Sequence, residues 1–393
     1  MIYLDNAATS WPKPPQVAAA MQHFLAHVGA TPGRSGHRLS VEAGRTVLDA
    51  RDAIAELLGM RDPLRVAFMA NATEALNTVL LGFPVSGEHV IVSGLEHNSV
   101  MRPLSELSRR GITHTVLPHS ADGSLDPDEI RKAVRPGTIL LAVNHASNVT
   151  GRVLPVREAG RIARELGLHF LVDAAQTAGC IPIDMELDCI DFLAFTGHKS
   201  LLGPQGTGGL ALADRIAPSR LRMLKTGGTG SRSEHTSHPE FLPDRFEAGT
   251  PNAVGLAGLA AGIRHVLDAG VENIRLSEER LVDRLAAGLA SIEGIRVHGL
   301  APLGQRTGTL SFTLHGVPVS DLALRLDEEH EILCRAGLQC APLAHRTIGT
   351  FPDGTVRFSV CPFNTPEQID EAIAAVAAVA GAPHRGAARR TSP

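Results

Sequence analysis

What this chain lacks narrows what it can be. Across its 393 residues no apolar run reaches the roughly 18 residues that a membrane-spanning helix needs, so no membrane is expected. Neither sign of charge dominates. A net charge of −4 gives no electrostatic reason to expect nucleic acid. The opening residues, Met1-Ile-Tyr-Leu-Asp-Asn6, carry no basic segment and no cleavage site, so a signal peptide is not expected. The five cysteines, Cys180, Cys189, Cys334, Cys340 and Cys361, are odd in number and widely spaced, with no CxxC. This argues against a disulfide framework and against a zinc site or other metal, and for a reducing, cytoplasmic setting. Residues 382–393 have no large apolar side chain and are expected to be a disordered tail.

What is present reads as soluble and globular: 44% of residues are apolar and 20% charged. The length suits two domains. The chemistry concentrates in one stretch. An apolar strand, Asp191 to Phe195, runs into the polar turn Thr196-Gly-His-Lys199 and then a Gly-containing loop. A lysine where a buried strand ends can anchor a phosphate as a point charge. It can also form a Schiff base with an aldehyde once desolvation lowers its pKa. Upstream, the strand His169–Asp173 ends in an acid. A carboxylate and a lysine at neighbouring strand ends are the two groups that a pyridoxal phosphate site needs: an amine for the aldehyde and an acid for the ring nitrogen. Taken singly, Lys199 reads as a solvated surface lysine and Asp173 as a helix cap.

The rest of the large unit alternates strand and helix, which implies an α/β fold with a mostly parallel sheet. Ligands of such sheets sit beyond the carboxyl ends of the strands. Thr73, His97, Asn148, Asp173 and Lys199 all fall at such ends. Thr73 opens a predicted helix after the strand at 65–69, where free backbone N–H groups suit a phosphate; the plainer alternative is a Thr N-cap. The loop Gly29–Ser40 cannot be a regular element, and Arg34 and His37 in it could reach a site. The stretch 225–243 has no periodicity. Beyond it, helices near 253–268 and 274–291 lead to strands and helices that suggest a smaller α+β unit. The boundaries expected are 15–265 for the large unit, and 1–14 with 266–381 for the small one. In the small unit, Cys334 reads as buried within a strand, whereas Cys340 lies in a loop flanked by Arg335 and His345 and is the candidate thiolate nucleophile. Cys180, Cys189 and Cys361 read as small core residues. Arg357, in a strand, wants a carboxylate, either from an internal ion pair or from a ligand.

Val172-Asp-Ala-Ala-Gln176 followed by Thr196-Gly-His-Lys199 resembles the class V aminotransferases, pyridoxal phosphate enzymes of the type I transferase fold, and among them the cysteine desulfurases. Tyr3-Leu-Asp-Asn-Ala-Ala8, Asn71-Ala-Thr-Glu-Ala75, Arg245-Phe-Glu-Ala-Gly-Thr250 and Arg335-Ala-Gly-Leu-Gln-Cys-Ala341 are similar to further motifs of that family. The last resembles the short-loop, selenocysteine-lyase-like branch, where a His usually stands in place of Gln339. The resemblance implies pyridoxal 5′-phosphate held by Lys199, with Ala72 and Thr73 at its phosphate. It implies His97 stacked on the ring, Asp173 at the ring nitrogen, and Asn148 and Gln176 at the ring oxygen. Thr196 and His198 complete the cofactor contacts, and Thr250 reaches the phosphate of the partner in a homodimer. It places Asn6, Ala7, Arg34, Asn148, Arg335 and Arg357 around the substrate, with Arg357 gripping its α-carboxylate. Lys199, His97 and Cys340 would be catalytic. The implied reaction takes L-cysteine to L-alanine, with sulfur passing to Cys340 as a persulfide and then to an acceptor, which can be a protein. The alternatives are a selenocysteine or cystine lyase, another enzyme of the class, or a binding protein that kept the fold and lost the chemistry.

Overall fold

Continuous apolar runs bounded by Gly and Asn become strands buried on both faces, and the amphipathic runs between them become the covering helices. The computed structural model describes residues 1–33, 35–84 and 87–382. Arg34 and the segment 383–393, which holds all but the first residue of the expected tail, therefore lie outside the described residues. A short strand β1 (Ile2–Tyr3) precedes helices α1 (Pro15–His23) and α2 (Arg38–Leu57). Then follow β2 (Val66–Met69), α3 (Ala72–Gly82), β3 (His89–Val92), α4 (Asn98–Ser108), β4 (Thr113–Val116), α5 (Asp128–Ala133) and β5 (Thr138–Asn144). Next are α6 (Val156–Glu165), β6 (His169–Asp173), β7 (Phe192–Thr196), β8 (Gly208–Leu212), α7 (Ala253–Ala269) and α8 (Val271–Ala290). The last part runs β9 (Ile295–His298), β10 (Thr309–Leu314), α9 (Val319–His330), β11 (Ile332–Leu333), β12 (Arg335–Gly337), α10 (Pro342–Thr347), β13 (Thr355–Ser359) and α11 (Pro366–Gly381).

Seven strands form the large sheet in the order β2-β8-β7-β6-β5-β3-β4. β8 alone runs antiparallel to its neighbours, so the sheet is mostly parallel, as alternation predicts. Successive strand residues alternate faces. Leu193 and Phe195 pack into one core with α2, α6 and α7, while Phe192 and Ala194 pack into a second core with α3 and α4. A four-stranded antiparallel sheet, β12-β13-β10-β9, packs with α8, α9 and α11 around a third core. The N-terminal residues join that third core: β1 pairs in parallel with β11, and Ile2 and Leu4 are buried in it. Among the described residues no single helix is long and apolar enough to cross a membrane.

Some local expectations change. Thr73 is not the cap of α3; Asn71 is, its side chain accepting from Glu74 N at 3.0 Å, which leaves the Thr73 hydroxyl for other work. His37 caps α2 by accepting from Ser40 N at 3.2 Å, so it is spent locally. Cys334 sits in the break between β11 and β12 and is only partly buried, while Cys189 is half-exposed at a positive φ of 58° rather than a core residue. The stretch 225–243 holds neither helix nor strand.

Gly179 ties this fold to the chemistry. Its φ is +102°, and an added Cβ would lie 2.5 Å from the carbonyl oxygen of Ser200, the residue after Lys199. Gly179→Ala should destabilise the protein by about 1–3 kcal/mol, read as a lower thermal midpoint. Gly36→Ala, where a methyl meets nothing within 4 Å, is the control and should leave the midpoint unchanged.

Candidate active site

β6 and β7 are neighbours in parallel register, with Asp173 opposite Ala194. The sheet therefore delivers Asp173 and the turn that follows Thr196 to one edge. A cavity opens there, lined by Thr73, His97, Asn148, Asp173, His198 and Lys199, with Ala72, Gln176 and Thr196 completing much of its wall.

Lys199 is part-buried, and among the described residues its amine has no hydrogen bond or ion pair. Loss of water pulls its pKa from the ordinary 10.5 down to about 8; Asp173 opposes this, and Arg357 and Arg335 add to it. The drop corresponds to about 3 kcal/mol of disfavour for the charged amine. A second lysine, Lys13, is also pulled down to about 8 by burial. Its amine is committed, however, donating to Ser10 Oγ at 2.6 Å and to the His198 carbonyl at 2.9 Å. Only Lys199 of the two keeps a free amine. Asp173 is 8% exposed, and its Oδ1 accepts from Ala175 N at 2.9 Å. Burial raises its pKa against the pull of that N–H and of Lys199.

His97 caps α4. Its Nδ1 accepts from Ser99 N at 3.0 Å, so its proton sits on Nε2. Burial first, then Lys199, Arg335 and Arg102, pull its pKa to about 4, so the ring is neutral. Ser99, which sequence reasoning missed, joins two predicted residues: its hydroxyl lies 2.9 Å from His97 Nδ1 and 2.7 Å from Thr73 Oγ1. Its signal was its place two residues after His97, in the first turn of a helix that follows a strand end.

The site fits a phosphorylated ring. The N-terminus of α3, an eleven-residue helix, faces the cavity through Ala72 and Thr73 and suits an anion. Among the described residues, three buried polar atoms of the lining have no partner: Asn148 Oδ1, Thr196 Oγ1 and His198 Nδ1. Gln176 lines the cavity and is held there by its Nε2, which donates one hydrogen to the Ala7 carbonyl at 3.1 Å. Thr250 is exposed and does not line the cavity of its own chain.

The small sheet supplies the other wall. Arg335 and Arg357 are opposite one another on β12 and β13. Arg357 is 1% exposed, bonds Asp5 Oδ1 at 2.6 Å and the Asn148 carbonyl at 2.9 Å, and keeps Nε unpartnered. The sequence left an ion pair or a ligand open for it; Asp5 holds one edge of the guanidinium. Removing a partner from so buried a charge costs about 3–5 kcal/mol, so Asp5 or a substitute carboxylate must be present. Arg335 lies 3.6 Å from the exposed Cys340 Sγ. His345, expected beside that thiol, is fully buried and turned to Gln339 and Thr350 instead. Asn6 and Ala7 line a second cavity that Lys199 shares with Cys180 and Cys361, but the Asn6 amide is occupied by the Ser359 carbonyl at 2.9 Å and by Trp11 N at 3.1 Å.

The family model described as aminotransferase class-V matches residues 2–372. The chain belongs to the class-V aminotransferase family. A protein of Methanothermobacter thermautotrophicus named probable cysteine desulfurase is 35% identical over 371 residues, covering 94% of this chain and 92% of that protein. A cysteine desulfurase of Haloferax volcanii is 32% identical, covering 96% of this chain and 88% of that one. The apo structure of a cysteine desulfurase from Thermococcus onnurineus superposes with a TM-score of 0.90 at 33% identity, covering 96% of this chain and 94% of that one. The class-V fold thus accounts for the parallel sheet and for the cavity at its carboxyl edge.

The amine of Lys199 yields a direct test. In cofactor-free protein its acylation should rise through a midpoint near pH 8 instead of the ordinary 10.5, because only the neutral amine reacts. Asp173→Asn removes the charge that holds the proton on, so the midpoint should fall further. Peptide mapping after acetic anhydride pulses across pH reads both; a midpoint near 10 in the wild type contradicts the burial argument.

Proposed function

We propose that this chain is a pyridoxal 5′-phosphate-dependent cysteine desulfurase that converts L-cysteine to L-alanine and takes the sulfur onto Cys340 as a persulfide. What supports this most is the convergence on one cavity of a free amine, a buried carboxylate and a neighbouring exposed thiol. Arg335 touches the thiol at 3.6 Å and is also near enough to lower the proton affinity of Lys199.

Lys199 would hold the cofactor aldehyde, Asp173 the ring nitrogen, and Ala72, Thr73 and the α3 N–H groups the phosphate. Asn148, Thr196 and His198 carry the unpartnered atoms that would meet its remaining polar groups, and His97 would lie against the ring. Bound there, the cofactor supplies an electron sink for bonds at the substrate α-carbon. Arg357 would take the substrate α-carboxylate, sharing or exchanging its contact with Asp5. The amine of Lys199 would accept and return protons at the substrate carbons. The Cys340 thiolate attacks the substrate sulfur, and the C–S bond breaks. Its electron pair passes to the carbon skeleton, which takes up a proton to become alanine. Five free thiols support a reducing, cytoplasmic setting, and the exposure of Cys340 suits onward transfer to an acceptor, including a protein.

Cys340→Ser decides the chemistry. It should bind cysteine as the wild type does, read by the cofactor's absorption change, yet release alanine about 10²–10⁴-fold more slowly. Much of any activity on selenocysteine should survive. Full alanine release from cysteine by this variant removes Cys340 as the sulfur acceptor.

The exposure of Thr250 outside its own cavity supports a homodimer in which it completes the partner's phosphate site. Lys199→Ala and Thr250→Ala should each be inactive alone. Mixed by unfolding and refolding together, they should recover about a quarter of wild-type activity, because each mixed dimer carries one intact site. No recovery means that Thr250 serves its own chain.

A further inference from the structure

Two consecutive non-glycine residues, Gln339 and Cys340, lie in the left-handed region, with φ of 43° and 61°. Residues with side chains seldom adopt it, and keep it only where their surroundings over-determine them. The surroundings here are specific. Gln339 is 2% exposed and His345 is not exposed at all. Gln339 Nε2 donates to the Thr355 carbonyl at 2.9 Å, so its Oε1 is left as an acceptor. That oxygen lies 2.7 Å from His345 Nε2, which must therefore carry the proton. His345 Nδ1, 2.7 Å from Thr350 Oγ1, is then an acceptor for the hydroxyl. Burial pulls the His345 pKa down to about 4, in keeping with this single neutral tautomer. Thr350, His345, Gln339 and Thr355 thus form one continuous hydrogen-bonded chain, buried at His345 and Gln339.

The backbone of the turn is held from the other side of the site. Asn148 Nδ2 donates to the Gln339 carbonyl at 2.7 Å, and Asn98 N donates to the Cys340 carbonyl at 2.9 Å. Asn148 lines the cofactor cavity, and Thr355 begins the strand that carries Arg357 two residues on. The nucleophile's turn is therefore indexed against both the cavity and the strand of the carboxylate-binding arginine.

We propose that Gln339 and His345 are positioning residues that lock the Cys340 turn, so that the thiol meets the substrate sulfur while Arg357 holds the other end of the substrate. This rests on the desulfurase reading. Neither Gln339 nor His345 lines the cavity. Their clamp fixes the distance over which sulfur moves from the substrate carbon to the thiolate.

The test compares the holoenzyme with Gln339→Ala and His345→Ala, and with Thr350→Val, a near-isosteric change that removes one hydroxyl and spares the packing. Cysteine affinity is read from the absorption change, and alanine formation by rapid quench in a single turnover. Affinity should stay within about twofold, while alanine formation slows about 10–100-fold in the alanine variants and less in Thr350→Val. Wild-type alanine rates in Gln339→Ala, or equal losses of affinity and rate in all three variants, overturn the positioning role. A wild-type enzyme that makes no alanine from cysteine overturns the desulfurase reading and the clamp's role with it, before any variant is made.

Discussion

Among the described residues the amine of Lys199 keeps no partner in a part-buried site, and much of the molecule serves to sustain that. Left alone, such an amine would turn to solvent or to the nearest carbonyl. Lys13, a few residues from the opening motif, does the latter, spending its donors on Ser10 and His198. The backbone of the turn after β7 is held at several points. Gly197 N is bonded by the Thr207 carbonyl, and the His198 carbonyl by Ser10 N. Gly179 lets the Ser200 carbonyl approach closely. Asp173 keeps its charge near enough to resist full deprotonation of the lysine, while burial keeps the two from being solvated apart.

The second wall answers a different constraint. Arg357 is almost wholly buried, and a guanidinium there needs a carboxylate. The N-terminal strand supplies one: β1 pairs beside β11 and brings Asp5 to β13. The first residues of the chain thereby become part of a site built mainly by residues far along it. The contacts of Arg357 with Asp5 and with the Asn148 carbonyl join the two sheets beside the cavity, so a shift at either sheet reaches it.

Much of this was legible beforehand. The strand ends near Asp173 and Lys199, the strand-to-helix turn at Thr73 and the mostly parallel sheet follow from apolar runs that stop at polar turns. Such patterns are local and survive folding. Less legible were contacts between residues remote in the chain. Ser99 gives no sign alone of bridging Thr73 and His97. Nothing near Gln176 in the chain shows that the Ala7 carbonyl holds its amide. His345 reads as a neighbour of Cys340, five residues away, yet helix α10 carries its ring inward to Gln339.

By itself the sequence determined the element types, the sheet's character and the identities of the amine, acid, thiol and guanidinium, since hydrophobic periodicity and side-chain chemistry are written residue by residue. Only the tertiary structure decided which lysine is free, which carboxylate faces Arg357, and which conformation Cys340 is held in. Each of these turns on what remains unpaired after every buried donor has found its acceptor, and that count cannot be made until remote segments are packed together.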